Sequence, residues 1–284
     1  MRAPFTAETP WPAPAKLNLF LHVLGRRSDG YHDLQTVFQF LDYGDDLFFS
    51  VRDDGDIRHA EASTVIADDL CLRAARLLKQ TTNTKLGCEI RVHKCIPIGG
   101  GLGGGSSDAA TTLVALNALW ELNLSTDALA TLGLQLGADV PVFVRGFAAW
   151  AEGVGENLSP IELTEPWYLV ITPSVAVSTK DTFNDPALPR NTPPISREVF
   201  FAGSHRNDCE RLVCAKHPEI ARARDWLRRF GPARMSGTGA SVFAAFPDRA
   251  QTLTAQAKMP DLGRSFVAQG LNQSPLMTAA KIKR

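Results

Sequence analysis

The stretch Pro97-Ile98-Gly99-Gly100-Gly101-Leu102-Gly103-Gly104-Gly105-Ser106-Ser107-Asp108 holds six glycines in seven positions. Each glycine forfeits about 0.4 to 1 kcal/mol through the entropy of the unfolded chain. The run therefore costs about 2 to 6 kcal/mol against a typical net stability of about 5 to 15, a loss that asks for a function. Backbone without Cβ atoms can turn its N–H groups inward and approach an anion closely. A helix beginning at Ser106 or Ser107 adds unpaired donors and the positive end of its dipole. The chemistry is that of a phosphate cradle. A flexible surface linker has the same composition, but linkers do not usually run straight into a patterned amphipathic helix. Two named phosphate loops do not fit. Gly99, Gly101 and Gly104 satisfy G-x-G-x-x-G, yet the position about twenty residues on is a helix end near Leu119, where a dinucleotide fold needs a strand ending in an acid. A Walker loop requires Gly-Lys-Ser/Thr, and here Gly105 is followed by Ser106. The serine hydroxyls can meet phosphate oxygens or the magnesium that accompanies a nucleoside triphosphate, with Ser107 the expected metal contact.

Phosphoryl transfer also needs charge neutralisation and a group that orients or deprotonates the attacking hydroxyl. Lys16 sits on an alternating strand, where an ammonium is expensive unless it faces a site or a partner; a lysine at an exposed strand start is the plain alternative. Asp139 stands between Gly137 and an apolar run, where a carboxylate either serves a reaction or ties down a turn. Arg234-Met235-Ser236-Gly237-Thr238-Gly239-Ala240-Ser241 is a second small, donor-rich loop, with the composition of a plain hairpin connection. Tyr31-His32, after the Asp29-Gly30 turn, can stack on and hydrogen-bond a base, or form a satisfied surface pair. Arg222, Arg224, Arg228 and Arg229 read as a solvated helix face. His22, His59, His93, His205 and His217 are too scattered for a metal site.

The elements that must position these groups begin with a strand over 15–23. There Leu17, Leu19, Leu21 and Val23 alternate with Lys16, Asn18, Phe20 and His22, so Lys16 and Asn18 point the same way and one face meets a core. Strands follow over 34–41 and 46–51. Asp68 or Asp69 caps a helix carrying Leu72, Ala75, Arg76 and Lys79 and ending near Asn83. A strand over 88–92 leads into the glycine run, and Ala109, Leu113, Leu116 and Trp120 give the long helix beyond it a core face. Ser125 caps the next helix, which ends at Gly137. Strands over 140–144 and 148–151 close the first region, and a seam over 157–166 separates it from a strand at 167–171. A proline-bearing surface loop over 185–194, helices near 208–215 and 218–230, a strand over 241–246, and a weak helix and strand complete the chain. The inventory is mixed without strict alternation, which indicates α+β layers rather than a doubly wound sheet.

The length, 284 residues, suits two domains, 1–160 and 161–284. Thirty basic side chains balance thirty acidic ones, leaving no electrostatic footprint for nucleic acid. Five cysteines without a C-x-x-C pair argue against both a disulfide framework and a zinc cage, and fit a reducing cytosol. Prolines at 4, 10, 12 and 14 interrupt any leader-like apolar segment, and nothing later reaches about 18 apolar residues. The expectation is a cytoplasmic protein with neither nucleic acid nor membrane as partner.

Taken in order, these segments resemble the GHMP kinase superfamily, and within it the branch whose acceptor is a cytidyl-diphospho-methylerythritol. Pro14-Ala15-Lys16-Leu17-Asn18-Leu19-Phe20-Leu21 resembles the first motif, and Arg27-Ser28-Asp29-Gly30-Tyr31-His32 with Leu34-Gln35-Thr36 the cytidine-recognition segment. Residues 97–108 resemble the ATP loop. Gly137-Ala138-Asp139-Val140-Pro141 and Ala151-Glu152-Gly153-Val154-Gly155-Glu156 resemble the catalytic segment, and residues 236–241 the third glycine motif. Val177-Ser178-Thr179 with Phe183, and Asn207-Asp208, also fit. The resemblance covers about residues 12–250, and the ordered co-occurrence is far more specific than any one motif. It implies an N-terminal domain like ribosomal protein S5 domain 2, a ferredoxin-like C-terminal domain, and an active site between them. It implies transfer of the γ-phosphate of ATP, with Mg2+, to the 2-hydroxyl of that small-molecule cytidine diphosphate derivative in the non-mevalonate isoprenoid pathway, by a monomer or weak homodimer. By the same resemblance Asp139 would orient or deprotonate the acceptor, and Lys16 would pair with it and stabilise developing charge. Asn18 would bind the methylerythritol end, while Tyr31, His32, Phe38 and Phe183 would frame the cytosine. Lys94 would stand for the lysine near the ATP loop. Asp69 replaces a usual Asn before the adenine-side helix, and Cys209 a usual Leu. Two alternatives remain at this level. Another GHMP kinase, acting on mevalonate, homoserine or a sugar, would be indifferent to cytidine nucleotides. A nucleotide-binding regulator would lack catalysis, against which the presence of both Lys16 and Asp139 speaks.

Overall fold

The structure, a computed structural model, describes residues 9–60 and 69–282. The first region contains β1 (Trp11–Arg26), β2 (His32–Arg52), β3 (Ile57–His59), α1 (Leu70–Thr82), β4 (Gly87–His93), α2 (Gly104–Leu119), α3 (Thr126–Leu134), α4 (Val140–Arg145), β5 (Ala149–Gly153) and β6 (Asn157–Pro160). The second contains β7 (Trp167–Thr172), α5 (Thr179–Asn184), α6 (Arg197–Phe201), α7 (Asp208–Lys216), α8 (Pro218–Leu227), β8 (Ala233–Met235), β9 (Val242–Phe246), α9 (Arg249–Ala257), β10 (Arg264–Leu271) and α10 (Pro275–Ile282). The α+β expectation holds. One sheet runs in the order β3-β4-β2-β10-β7-β9-β8, with β1 and β5 paired along other stretches of β2. Its pairings are antiparallel except β3 with β4.

The two strands expected over 34–41 and 46–51 are one strand, β2. Residues 42–45, between the two expected strands, continue it because Gly44 lies against β1, where a Cβ would come within 2.4 Å of Ala13 O. Strand β1 is buried on both faces rather than one, with Phe20 and Leu17 alike inaccessible, because it is covered from both regions of the chain. Asp69 caps α1 through Leu72 N at 3.0 Å, and Asn83 closes it in the left-handed conformation; the other cap considered, Asp68, lies outside the described residues.

Three expectations fail around the long helix. It starts at Gly104 rather than at Ser106, and residues 107–117 are buried on every side, so it is a central helix and not an amphipathic one. The next helix, α3, ends at Leu134, with Gly137 in a following turn and without a positive φ. The run 140–144 is helix α4, not a strand. A short, fully buried apolar run carries no periodicity to separate the two, and Pro141 in its first turn with Gly146 at φ +70° as its cap fixes the helix. The elements α5, α6, α10, β3 and β8 add to the expected inventory. The two largest of four apolar clusters among the described residues gather one around α2 and one around α7 and α8. Leu276 and Ala280 of α10 return to the first core.

Candidate active site

The glycine run is pinned from behind. Its carbonyls are taken in order: Gly99 O by Ala240 N (3.3 Å), Gly100 O by Ser241 N (3.0 Å), Leu102 O by Lys16 N (3.0 Å) and Gly103 O by Ser107 N (2.8 Å). Gly101 O accepts from Ser236 Oγ at 2.9 Å and from Lys16 Nζ at 3.3 Å. Peptide planes held by their oxygens in this way turn their N–H groups to the other side. None of the amides of residues 101–106 donates to an acceptor among the described residues. The third glycine motif thus buttresses the loop, and Ser236 Oγ in turn accepts from Asn18 N at 3.1 Å. Gly101, at φ +73°, has no room for a side chain: a Cβ would stand 2.3 Å from Ser236 O.

Lys16 reaches the front of this loop from β1, where a register shift after Pro14 frees its N–H for Leu102 O. Its Nζ lies 3.2 Å from Asp139 Oδ2. The lysine side chain is 4% exposed and the aspartate 33%, so the carboxylate faces the open space and the ammonium backs it. Lys16 also donates to Asn18 Oδ1, whose Nδ2 donates to Thr36 Oγ1 at 3.0 Å, which locks the amide's orientation. Phe38 lies under the ammonium, its ring centre 5.2 Å from Nζ. It lines the same cavity as His32 and Phe183. Asp139 stands in the turn that Val140 N closes onto Gly137 O (3.1 Å), but its side chain makes no bond that caps α4, so the carboxylate faces Lys16 rather than tying down that turn.

A cavity of about 800 Å³ joins these groups to two further clusters. At one end the His32 and Phe183 rings stack 5.2 Å apart at 26°, with the exposed Tyr31 at the mouth. Burial, then Arg190 and Arg26, lower the His32 pKa. Arg190 Nε donates to its Nε2 at 3.1 Å, leaving Nδ1 of the neutral ring as the donor. At the other end lie His59 and Asp69, 3.1 Å apart, with Leu70 and Ile90. Between that end and the loop, Lys94 bridges Asp45 (2.5 Å) and Asp108 (2.6 Å). Burial opposes the Lys94 charge, but Asp108 and Asp45 outweigh it and raise its pKa. Burial pushes Asp108 up to about 7 despite the adjacent ammonium. Asp45 also accepts from Cys95 N and Ile96 N, anchoring the chain that enters the loop.

Pro97, Ile98 and Ser106 line the cavity, but Ser107 does not: it is fully buried at the base of α2, its hydroxyl without a partner. The helix starts two residues early, which turns Ser107 inward and leaves Ser106 at the rim. Sequence reasoning missed Lys180, an exposed cation on α5 that lines the cavity near Thr179 and Thr238. Its only signal was its place directly after Val177-Ser178-Thr179. Asp45 and His59 carried no signal as site residues. Arg224, read as part of a solvated face, is instead mostly buried and paired with Glu210.

The family described as GHMP kinases N terminal domain matches residues 69–147, and GHMP kinases C terminal matches residues 201–264. A 4-diphosphocytidyl-2-C-methyl-D-erythritol kinase of Shewanella baltica (strain OS195) is 57% identical over 271 residues, covering 94% of this chain and 95% of its own. The chain belongs to the 4-diphosphocytidyl-2-C-methyl-D-erythritol kinase family. A crystal structure of a 4-(cytidine 5'-diphospho)-2C-methyl-D-erythritol kinase superposes with a TM-score of 0.79 at 32% identity, covering 92% of this chain and 99% of that one. The mevalonate kinase of Methanococcus jannaschii, at 17% identity and a TM-score of 0.65, shows the same fold. As a member of the 4-diphosphocytidyl-2-C-methyl-D-erythritol kinase family the chain is an enzyme, a phosphotransferase with an alcohol acceptor, on the two-part GHMP kinase fold.

Proposed function

We propose that the Lys16–Asp139 pair, 3.2 Å apart beside the unpaired amides of residues 101–106, is where the γ-phosphoryl group of ATP passes to the 2-hydroxyl of 4-diphosphocytidyl-2-C-methyl-D-erythritol. That juxtaposition carries the reading. The amides and the N-terminus of α2 receive the triphosphate, with Lys94 and the wall from Pro97 to Ser106 around it. The hydrophobic end at Leu70 and Ile90 takes the adenine. The acceptor's cytosine lies against His32, Phe183 and Tyr31, with the neutral His32 donating from Nδ1. Its methylerythritol end rests by Asn18 over Phe38. Lys180 supplies positive charge to the diphosphate between them. The acceptor oxygen attacks phosphorus, the bond from the γ-phosphorus to the β,γ-bridging oxygen breaks, and the hydroxyl proton goes to an Asp139 oxygen. Lys16 offsets charge that develops on the transferring group.

Among the described residues no group of three or more His, Cys, Asp or Glu side chains can hold a metal ion. Mg2+ would be held on the oxygens of ATP and by waters, and the Ser106 hydroxyl and the Asp139 carboxylate, both on the cavity wall, would be the protein oxygens nearest to hand. When bound it neutralises phosphate charge. We place the division between the two domains at residues 160 and 161, with α10 returned to the first core. The enzyme would act on this small molecule in the cytoplasm, within the non-mevalonate isoprenoid route, as a monomer or weak homodimer without nucleic acid or membrane partners. No described helix is long and apolar enough to cross a membrane.

Asp139→Ala tests the assignment. Loss of a positioned proton acceptor should lower kcat by about 10² to 10⁴ while ATP affinity, read by titration with an unreactive analogue, stays near wild type. Near-normal turnover would eliminate the role.

A further inference from the structure

A second cavity, of about 710 Å³, opens between α7, α8 and the edge strand β8. Arg206, Arg211, Arg224, Arg228 and Arg234 line it, with Glu210 the sole carboxylate on the wall among the described residues. Three of the arginines are compensated. Arg206 pairs with Asp208 at 2.7 Å, and Arg224 and Arg228 share Glu210 (3.1 and 3.2 Å) and Asp225 (2.8 and 3.3 Å). The Arg211 and Arg234 side chains have no hydrogen bond or ion pair among the described residues. Arg211 is exposed and its lack of a partner costs little. Arg234 is half-buried, and burial lowers its pKa. A desolvated guanidinium with nothing to accept from its five N–H donors is expensive. Beside it, His205 is held neutral, its pKa lowered to about 4 first by burial and then by the Arg234 charge; the carboxylate that acts on the Arg234 guanidinium is Glu210, which Arg224 and Arg228 already share.

We infer that this cavity is an anion site, separate from the active cavity, for a small molecule bearing a phosphate or diphosphate group. Guanidinium groups match phosphate oxygens with paired N–H donors, and the volume suits a metabolite-sized ligand. The apolar part of the wall, Cys214, Ala221 and Pro232 among it, leaves room for an organic substituent. The site is distinct from the catalytic one because the backbone of residues 235–237 lies between them. Asn207 at the cavity wall holds that backbone, donating to Met235 O at 2.8 Å and Gly237 O at 2.7 Å. An anion there fills the donors that Arg234 leaves open and balances the surplus of guanidinium charge.

The test uses the full chain with its active cavity saturated by an unreactive ATP analogue and CDP, so that the glycine loop cannot answer. Inorganic phosphate, inorganic diphosphate and an alkyl diphosphate are titrated calorimetrically, and whichever binds most tightly names the source of the anion. One-to-one binding is expected with a Kd below about 1 mM. Arg234→Gln and Arg211→Gln should each weaken it by about tenfold, the loss of one charge-assisted contact. Arg234→Gln should melt no lower than wild type without ligand, since it removes an uncompensated charge, and Arg211→Gln should keep the wild-type KM for ATP. Should Arg234→Gln fail to fold, the exposed Arg211→Gln decides alone. Absence of binding to all three anions, or binding that the folded variants retain at wild-type strength, overturns the inference.

Discussion

Adding one methyl group at Gly101 tests whether the glycine run is a rigid, buttressed cradle. Alanine at φ +73° costs about 1 to 2 kcal/mol from backbone strain alone. Its Cβ would lie 2.3 Å from Ser236 O and 2.9 Å from Gly239 O, both backbone atoms, so the two loops must part. Parting them threatens the bonds from Ser241 N to Gly100 O and from Ser236 Oγ to Gly101 O, each worth about 0.5 to 1.5 kcal/mol. The sum, about 2 to 5 kcal/mol, lowers the melting temperature by about 4 to 20 °C at roughly 2 to 4 °C per kcal/mol. Displacing the loop by about 1 Å should also cost about 100-fold in kcat/KM. Gly203→Ala is the matched control, since φ is +82° there and no atom lies within 4 Å of the added Cβ. It should lose only the strain, about 1 to 2 kcal/mol, and keep full activity. Differential scanning fluorimetry and steady-state kinetics read both. Equal kcat/KM for the two variants would refute the claim that the third motif holds the first in shape.

Lys180→Ala should raise KM for the cytidyl substrate by about tenfold, the worth of one charged contact to a diphosphate, with KM for ATP unchanged; an equal rise in both would remove Lys180 from the acceptor side. Acid should weaken the fold through His22 and His205. Burial lowers both pKa values, that of His205 to about 4, so between pH 6.5 and about 4 the unfolded chain binds protons that the folded one does not, and stability falls as pH falls. His205→Gln should flatten that dependence in urea midpoints at pH 7 and pH 5 relative to wild type, and an unchanged slope would show that this histidine does not report the effect.

Much of the site was legible because its chemistry depends on local sequence. The cost of the glycine run, the alternation that sets Lys16 and Asn18 on one side of β1, and the cap at Asp69 are properties of a few consecutive residues. The errors share a cause. Residues 140–144 read as a strand, and the strand pattern breaks off over 42–45, because a buried run and a polar dip lose their meaning once other chain segments cover them. Ser107, expected to meet the metal, is turned into the base of α2 because that helix starts at Gly104.

Local sequence therefore determined which groups are present: a costly amide-rich loop, a lysine on a strand, an aspartate in a turn and an aromatic-histidine pair. Only the tertiary structure decided that they converge. Lys16 and Asp139 lie 123 positions apart in the chain and meet at 3.2 Å because β1 and the α3–α4 turn pack against the same central helix. The glycine loop presents donors rather than acceptors because residues 236–241, from the far half of the chain, take its carbonyls. Short-range patterns set backbone conformation, but the direction in which a loop's hydrogen bonds point is fixed by whatever folds against its back.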